Sequence, residues 1–204
     1  MKVLITGFEP FNGSLLNPSQ MLIDAIRDDI AVDVKIEKMT LPVDQVKGPE
    51  KLLDGIHQYN PDAILAFGLA SGRSRISLEQ VAINLMDFRI PDNNGTVIAD
   101  QPIIADGPAA YFSTLPIRVM HTNLRAEGIP AEISFSAGAF LCNQVFYTMM
   151  HEIACHKLST RAGFIHLPAL PEQAAQSTKS VPSMCLDLEI QAVQIMINEL
   201  QKIQ

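Results

Sequence analysis

The chain has 204 residues, of which 48% are hydrophobic and 18% are charged, and its formal net charge is −7. This length and apolar content suit one well-packed core, so we expect residues 1–204 to form a single domain. The negative charge comes without a cluster of lysine or arginine, which argues against a surface that binds nucleic acid or an anionic membrane.

The cysteine count and the apolar runs indicate a cytoplasmic protein. The three cysteines, Cys142, Cys155 and Cys185, are odd in number and lack the spacing of metal ligands, which favours reduced thiols. No apolar run approaches the ~20 residues of a membrane helix. The apolar start, residues 1–7, is too short for a signal peptide and predicts a first core strand instead.

The first half of the chain alternates strands with helices. The segment Gly7–Gly13 is bounded by glycines and interrupted by proline, which predicts a loop carrying Phe8 and Phe11. Asn17 followed by proline is typical of a helix N-cap and first helical residue. The patterns predict, in order, a strand at 2–6, a helix at 17–27, a strand at 32–41, a helix at 44–59 and a buried strand at 62–68.

The second half continues the alternation after one excursion. Residues 86–116 are rich in proline, glycine, asparagine and aspartate, and Asp92–Gly95 predicts a hairpin turn there. The other elements are a strand at 76–85, a helix from 117 to near 128, a strand at 131–135, a helix ending near 156, a strand at 162–168, a loop at 171–181 and a helix at 182–202. We therefore expect a three-layer α/β/α sandwich with a mostly parallel twisted sheet and a hairpin excursion.

Cys142 lies between a predicted strand and a predicted helix. Val145, Met149 and Ile153 repeat at helical spacing, which places Cys142 in the first turn of that helix. Free backbone N–H groups and the positive end of the helix dipole favour a thiolate there, so Cys142 is a candidate nucleophile. An unpaired cysteine is also commonly a small buried hydrophobe, and both interpretations stay open at this point.

The predicted topology gathers several chemical groups at one place. Ligands of open α/β sheets bind outside the carboxyl ends of the strands. Four segments follow or end predicted parallel strands: Phe8 with Phe11, residues 68–73, residues 136–142, and His166. We therefore expect them along one edge of the sheet.

A catalytic cysteine needs a base, and histidine serves this purpose near neutral pH. Two of the five histidines lie about 13 and about 21 Å along the helix of Cys142, and two fall in polar helix-like stretches; these are His151, His156, His57 and His121. His166, at a strand end, is the histidine that the fold brings to Cys142. A strand-end histidine bonded only to backbone is the alternative.

Glu79 is a candidate for the group that orients the histidine. A carboxylate within an apolar strand is costly unless it is paired. The residues alone favour slightly the alternative, in which Glu79 forms a salt bridge with Arg73 or Arg75.

The remaining candidates also have two interpretations each. Arg89 borders the excursion and could donate a hydrogen bond to a substrate carbonyl, although an arginine in an acidic loop is often only solvated or paired. Phe8 and Phe11 could form a ligand wall or belong to the core.

Five ordered blocks span nearly the whole chain, and together they resemble one family. The blocks are residues 6–11 with Asn17-Pro18, residues 72–84 around Glu79, residues 89–93, residues 136–143 and residues 164–168. They resemble pyroglutamyl peptidase I, also called pyrrolidone-carboxylate peptidase, the family of cysteine peptidases that remove an N-terminal pyroglutamyl residue.

The resemblance implies a Cys-His-Glu triad. Cys142 corresponds to the nucleophile, His166 to the base and acid, and Glu79 to the carboxylate. The implied reaction is that of an omega exopeptidase, which passes through a thioester acyl-enzyme and requires no metal or organic cofactor.

The resemblance also implies a substrate pocket and partners. It maps the pocket to Phe8 and Phe11 with Asn17 close by, and it matches Arg89 to an arginine that stabilises the oxyanion. The implied partners are peptides with an N-terminal pyroglutamyl residue and further copies of this chain in a homodimer or homotetramer.

Three positions depart from the common pattern of that family. Asn12 stands where a second glycine is frequent, Leu69 where many members have glutamine, and Gln80 where lysine or arginine is usual. These changes bear on loop geometry, pocket polarity and the pairing of Glu79.

Two other functions remain as alternatives. Related α/β architectures serve nucleoside phosphorylases and hydrolases, and residues 68–73 could hold an anion, but they carry no P-loop or dinucleotide fingerprint. A non-catalytic binding protein with a buried Cys142 and a structural His166 is the second alternative.

Overall fold

The structure is a computed structural model that describes residues 1–203. The strands are β1 Lys2–Phe8, β2 Lys35–Leu41, β3 Ala63–Leu69, β4 Ile76–Glu79, β5 Val81–Ile83, β6 Ala110–Phe112, β7 Ala131–Ser134 and β8 Arg161–Leu167. The helices are α1 Pro18–Ala25, α2 Lys47–Tyr59, α3 Ile117–Ala126, α4 Leu141–Cys155, α5 Pro171–Gln176 and α6 Leu186–Gln201.

Six strands form one sheet in the order β2-β1-β3-β8-β4-β7. The first four run parallel to one another, whereas β4 is antiparallel to β8 and parallel to β7. The prediction of a mostly parallel sheet is confirmed, with two strands at one edge running the opposite way. Strands β5 and β6 pair separately as a two-stranded antiparallel sheet.

Helices cover both faces of the six-stranded sheet, as predicted for a three-layer α/β fold. Side chains alternate between faces along a strand, so the central strands β1, β3 and β8 contribute to two cores. In β8, Ile165 and Leu167 join the core beneath α1, α3 and α6, whereas Phe164 joins the core beneath α2 and α4. His166 therefore points to the face that α4 covers.

The structure corrects two predicted elements. The predicted strand 76–85 is two strands in different sheets, because the backbone turns at Gln80 after Glu79. The predicted loop 171–181 begins with the short helix α5, which has proline at its start and no buried residue, so the apolar pattern that signals most helices is missing.

The hairpin excursion is present in a looser form than predicted. The turn at Asp92–Gly95 closes through a hydrogen bond from the Gly95 N–H to the Asp92 carbonyl at 3.0 Å. Beyond the turn, the two arms share an isolated antiparallel bridge between Met86 and Gln101. Across residues 1–203, the structure contains no helix that combines the length and apolar character needed to cross a membrane.

Candidate active site

The loop before α4 delivers Cys142 to the sheet. Helix α4 begins at Leu141, so Cys142 lies in its first turn as predicted. Gly138 has a φ of 79°, a conformation that glycine adopts without strain and that turns the chain into the helix. The thiol lies against Gly68 of β3, where an added Cβ would come within 2.9 Å of Cys142 Sγ. Any larger residue at position 68 would therefore displace the thiol and the ring of Phe164.

The predicted route that brings Cys142 to His166 is wrong in one respect. Residues 136–142 do follow a strand, but β7 runs opposite to β8, so the carboxyl ends of these two strands do not share an edge. Cys142 reaches the site because the loop returns across the sheet to Gly68, which is the register partner of His166 in β3 and β8. The two residues are nevertheless brought together, and both line one cavity.

Glu79 joins this site from the neighbouring strand. Ser77 of β4 pairs with His166 of β8, so Glu79, two residues further along, projects on the same face. The Nδ1 of His166 lies 2.7 Å from Glu79 Oε1. Arg73 Nη1 donates to the same oxygen, also at 2.7 Å. Both interpretations of Glu79 therefore hold at once, because one oxygen serves the histidine and the arginine.

The other histidines lie away from the cavity. His57 and His156 both contact Glu152 near the C-terminal end of α4, whereas Cys142 lies at its start. His151 contacts the hydroxyl of Tyr111 at 2.9 Å. His166 is the histidine that lines the cavity with Cys142, which supports its selection from sequence.

Glu79 is ionised in its buried position. Burial opposes its charge, but the hydrogen bond and charge of His166, with contributions from Ser134 and Arg73, hold the pKa of this carboxyl below its usual value. A negative carboxylate therefore faces His166 Nδ1, which fixes the ring and leaves Nε2 as its other nitrogen for the cavity.

The thiol of Cys142 differs from the expectation. Burial, together with the negative charge of Glu79, raises the pKa of Cys142 to about 12, although a backbone hydrogen bond and the charge of Arg73 act in the opposite direction. A place in the first turn of a helix therefore does not by itself bring the pKa of this thiol below its usual value. The resting thiol is neutral and needs a base.

Aromatic side chains wall the cavity, whose volume is about 550 Å³. Phe8 and Phe11 line it as predicted, and Phe140 completes the wall. The ring centroids of Phe11 and Phe140 are 6.3 Å apart, and Phe88 packs edge-on against Phe140 at 4.7 Å. Phe8 is 3% exposed and packs on Phe164, so it belongs to the core and to the wall together.

Asn17 and Glu9 fix the loop that carries Phe11. Asn17 caps α1 by accepting a hydrogen bond from the Ser19 N–H at 3.1 Å, and its side chain donates to the Glu9 carbonyl at 2.9 Å. Glu9 Oε1 accepts from the Val43 N–H at 3.0 Å and from Asn93 Nδ2 at 2.9 Å. Asn17 lines the cavity, and its hydrogen bonds here serve the loop.

Arg89 lies at the cavity on an exposed segment that is tied to the loop before α4. The neighbouring Asp87 N–H donates to the Ala139 carbonyl at 2.9 Å, which holds this segment beside Phe140. Arg89 is exposed and is one of the residues that line the cavity.

Sequence reasoning missed the contributions of two residues next to Cys142. Phe140 belongs to the block of residues 136–143, and its place in the aromatic wall was not predicted, although Phe8 and Phe11 already indicated such a wall. Asn143 is fully buried, and its amide binds the backbone of Ile83 at 2.9 and 2.8 Å and that of Leu85 at 3.0 Å. A buried asparagine beside a nucleophile is a signal that could have identified this anchor.

The donor set does not form a metal site. Within residues 1–203, no group of three or more histidine, cysteine, aspartate or glutamate side chains is arranged to hold a metal ion. The cavity presents the Cys142 thiol, the His166 imidazole and the guanidinium-bearing residues Arg73 and Arg89.

A thiol and an imidazole in one cavity, with a carboxylate behind the imidazole on an α/β sheet, define the class of candidate cysteine hydrolases. The family model described as pyroglutamyl peptidase matches residues 1–202. The chain belongs to the pyroglutamyl peptidase family of cysteine peptidases.

Individual relatives agree with this membership. A pyrrolidone-carboxylate peptidase of Vibrio vulnificus is 45% identical over 96% of this chain and 91% of its own. A pyrrolidone-carboxylate peptidase of Pyrococcus furiosus is 44% identical over 97% of this chain and 96% of its own.

Solved structures show the same fold. The crystal structure of Bacillus amyloliquefaciens pyroglutamyl peptidase I matches with a TM-score of 0.91 and 41% identity over 96% of this chain and 94% of that one. A mutant pyrrolidone carboxyl peptidase from Pyrococcus furiosus matches with a TM-score of 0.96 and 40% identity over 99% of both chains. The resemblance seen in the sequence blocks is confirmed.

Proposed function

We propose that the protein removes an N-terminal pyroglutamyl residue from peptides and proteins, with Cys142 as nucleophile, His166 as base and acid, and Glu79 as the orienting carboxylate. The observation that carries this proposal is the 2.7 Å contact between His166 Nδ1 and Glu79 Oε1 in the cavity that holds the Cys142 thiol. Family membership supplies the reaction class.

The proposed acylation starts from a neutral thiol and a neutral imidazole. His166 Nε2 takes the thiol proton while Cys142 Sγ attacks the pyroglutamyl carbonyl carbon, so charge develops only during the reaction. The first-turn N–H groups of α4 have no acceptors within the helix and can hold the tetrahedral oxyanion, with the positive charge of Arg89 nearby. The imidazolium then protonates the departing amine, and a thioester remains.

Water completes the proposed cycle. His166 accepts a proton from water as the water oxygen attacks the thioester carbonyl, and the proton returns to the sulfur when the C–S bond breaks. The products are pyroglutamate and the original thiol of Cys142. Glu79 keeps its charge throughout and holds the imidazole in the tautomer that the reaction needs.

The aromatic wall suits the lactam substrate. A pyroglutamyl group has no free α-amine, so an ion pair cannot recognise it. Phe8, Phe11 and Phe140 would pack on the flat ring, and backbone groups at the cavity would pair with its C=O and N–H. This polar pairing should reject a prolyl ring, which lacks the lactam C=O and carries a basic ring nitrogen in place of the amide N–H.

The decisive experiment measures release of a fluorescent amine from a pyroglutamyl amide under reducing conditions. The wild-type protein should release it, and Cys142→Ala should abolish release because the nucleophile is gone. Cys155→Ala is the matched control on the same helix and should keep full activity, since Cys155 lies exposed at its far end. A prolyl amide should be left intact; full activity of Cys142→Ala would refute the assignment.

We infer further that residues 1–204 act as one domain in a cytoplasmic homodimer or homotetramer. Free thiols at Cys155 and Cys185 suit a reducing compartment. Phe112 and Phe135 are each 68% exposed, which gives the surface apolar side chains that self-association would cover. Light scattering after size exclusion measures the number of copies, and a monomer at micromolar concentration would contradict the inferred assembly.

A further inference from the structure

Arg73 contacts two separate parts of the site. Its Nη1 donates to Glu79 Oε1 at 2.7 Å and lies 3.4 Å from Ser134 Oγ. Its Nη2 donates to the backbone carbonyl of Ser136 at 3.1 Å. Ser136 belongs to the loop that leads into α4 and Cys142. The planar guanidinium therefore connects the carboxylate behind the histidine to the segment that carries the thiol.

The backbone of Arg73 is itself tied to the strand that bears His166. The Ala70 N–H donates to the Leu167 carbonyl at 2.9 Å, and the Arg73 N–H donates to the Ala70 carbonyl at 3.1 Å. Leu167 directly follows His166 in β8. The turn that places the guanidinium is thus fixed next to the imidazole that it serves.

Glu79 depends on Arg73 because it is anchored through one oxygen. Oε1 contacts both His166 Nδ1 and Arg73 Nη1, whereas the buried Oε2 has no hydrogen-bond partner among the described residues. Without Arg73, the carboxylate would lose its cation and one of the two hydrogen bonds at Oε1. A buried carboxylate that loses its cation also faces a large desolvation cost.

The charge of Arg73 acts on the thiol as well. Glu79 raises the pKa of Cys142 and Arg73 lowers it, so the arginine offsets part of the effect of the carboxylate. The Glu79 carboxylate can therefore contact His166 while part of its unfavourable effect on the Cys142 thiolate is cancelled by Arg73.

We infer that Arg73 is a positioning residue for the peptidase reaction, holding Glu79 in register with His166 and the Ser136 loop in register with the cavity. This inference rests on the proposed function. Lysine cannot replace it fully, because a single ammonium lacks the planar fork that reaches Glu79 and Ser136 together.

The first test compares Arg73→Met, Arg73→Lys and the matched control Arg75→Met. Arg75 is two residues away and exposed at another surface, so its variant should behave as wild type. For Arg73→Met, we expect kcat on a pyroglutamyl amide to fall about tenfold to hundredfold while KM changes less than about twofold, because small misplacements of catalytic groups have effects of this size. The kcat of Arg73→Lys should lie between those of wild type and Arg73→Met.

A double-mutant cycle separates positioning from general destabilisation. If Arg73 acts through Glu79, then Arg73→Met should cost less than about threefold in kcat in a Glu79→Gln background. An equal loss in both backgrounds would overturn the inference. Where Arg73→Met does not fold by circular dichroism, Arg73→Lys is used in the same cycle with the same criterion.

A second readout needs no peptidase activity. The rate of alkylation of Cys142 by iodoacetamide at pH 8, followed by peptide mass spectrometry, should fall severalfold in Arg73→Met and stay unchanged in Arg75→Met. The reason is that loss of the positive charge disfavours the thiolate. An unchanged rate overturns the inference. If wild type releases no amine, the proposed function fails, and this measurement still decides the role of Arg73 at the thiol.

Discussion

Two buried glutamates on opposite faces of the sheet differ in charge, because Glu79 is ionised and Glu189 is neutral. Glu79 and Glu189 are each 0% exposed. Glu79 has His166 and Arg73 on one oxygen, and its pKa lies below the usual value. Both carboxyl oxygens of Glu189 lack partners among the described residues, and burial raises its pKa to about 9.

The comparison shows that partners, and not depth of burial, decide whether a carboxyl group is charged. Desolvation disfavours the ionised form in both places. At Glu79 the favourable interactions exceed that cost, so a carboxylate faces the imidazole. At Glu189, on α6 packed against α1 and α3, nothing offsets it and the group stays protonated at neutral pH. Of these two glutamates, Glu79 is the one that is charged at neutral pH.

The largest expected effect is on turnover when Glu79 is removed. Glu79→Ala deprives His166 of its orienting carboxylate and leaves Arg73 without its anion, so we expect kcat to fall by about 10² to 10⁴. Glu189→Gln is the matched control at the second glutamate with 0% exposure and should keep kcat within about twofold. Amine release from the pyroglutamyl amide measures both; a comparable loss in the two variants would remove the functional distinction between them.

The next effect is the pH dependence of stability caused by Glu189. The unfolded chain loses the proton near 4.5, whereas the folded chain keeps it up to about pH 9. The unfolded state therefore binds fewer protons between these values. Stability contributed by Glu189 is fully present below about pH 4.5 and is lost as the pH rises to about 9, by at most roughly 1.4 kcal/mol per pH unit.

Substitution at Glu189 should remove this loss. Glu189→Met keeps a similar volume without a titrating group, so its stability relative to wild type should increase from pH 5 to pH 9. Urea unfolding across this pH range measures the difference. A constant difference would mean that Glu189 is already ionised or hydrated in the folded protein.

The smallest expected effect is the loss of folding stability in acid that is caused by Glu79. Its folded pKa is lowered, so its contribution to stability is present above the unfolded value near 4.5 and is lost as the pH falls below it. Glu79→Gln should be less stable than wild type at neutral pH, and the difference should narrow as the pH falls below about 4.5. Thermal unfolding at several pH values checks the slope, and a difference that widens in acid would contradict it.

Local sequence patterns were sufficient for most of the fold. The Asn17-Pro18 cap, the apolar run that became β3 and the placement of Cys142 in the first turn of α4 each depend on neighbouring residues, and each is confirmed. The ends of the predicted elements were less accurate: β2 begins at Lys35, whereas the pattern predicted a start at residue 32. The catalytic roles of the site residues stay predictions.

The directions of β4 and β7 could not be predicted from their residues, because a short apolar strand fits a sheet in either direction. The same applies to the break at Gln80, which follows from the change of sheet after Glu79.

By itself, the sequence determined the family, the α/β class and the candidate residues, since these follow from residue order and local periodicity. The tertiary structure decided that one oxygen of Glu79 serves both His166 and Arg73, and that burial keeps the Cys142 thiol neutral. Both outcomes depend on distances between segments far apart in the chain and on the exclusion of water, and these exist only once the sheet and its helices have packed.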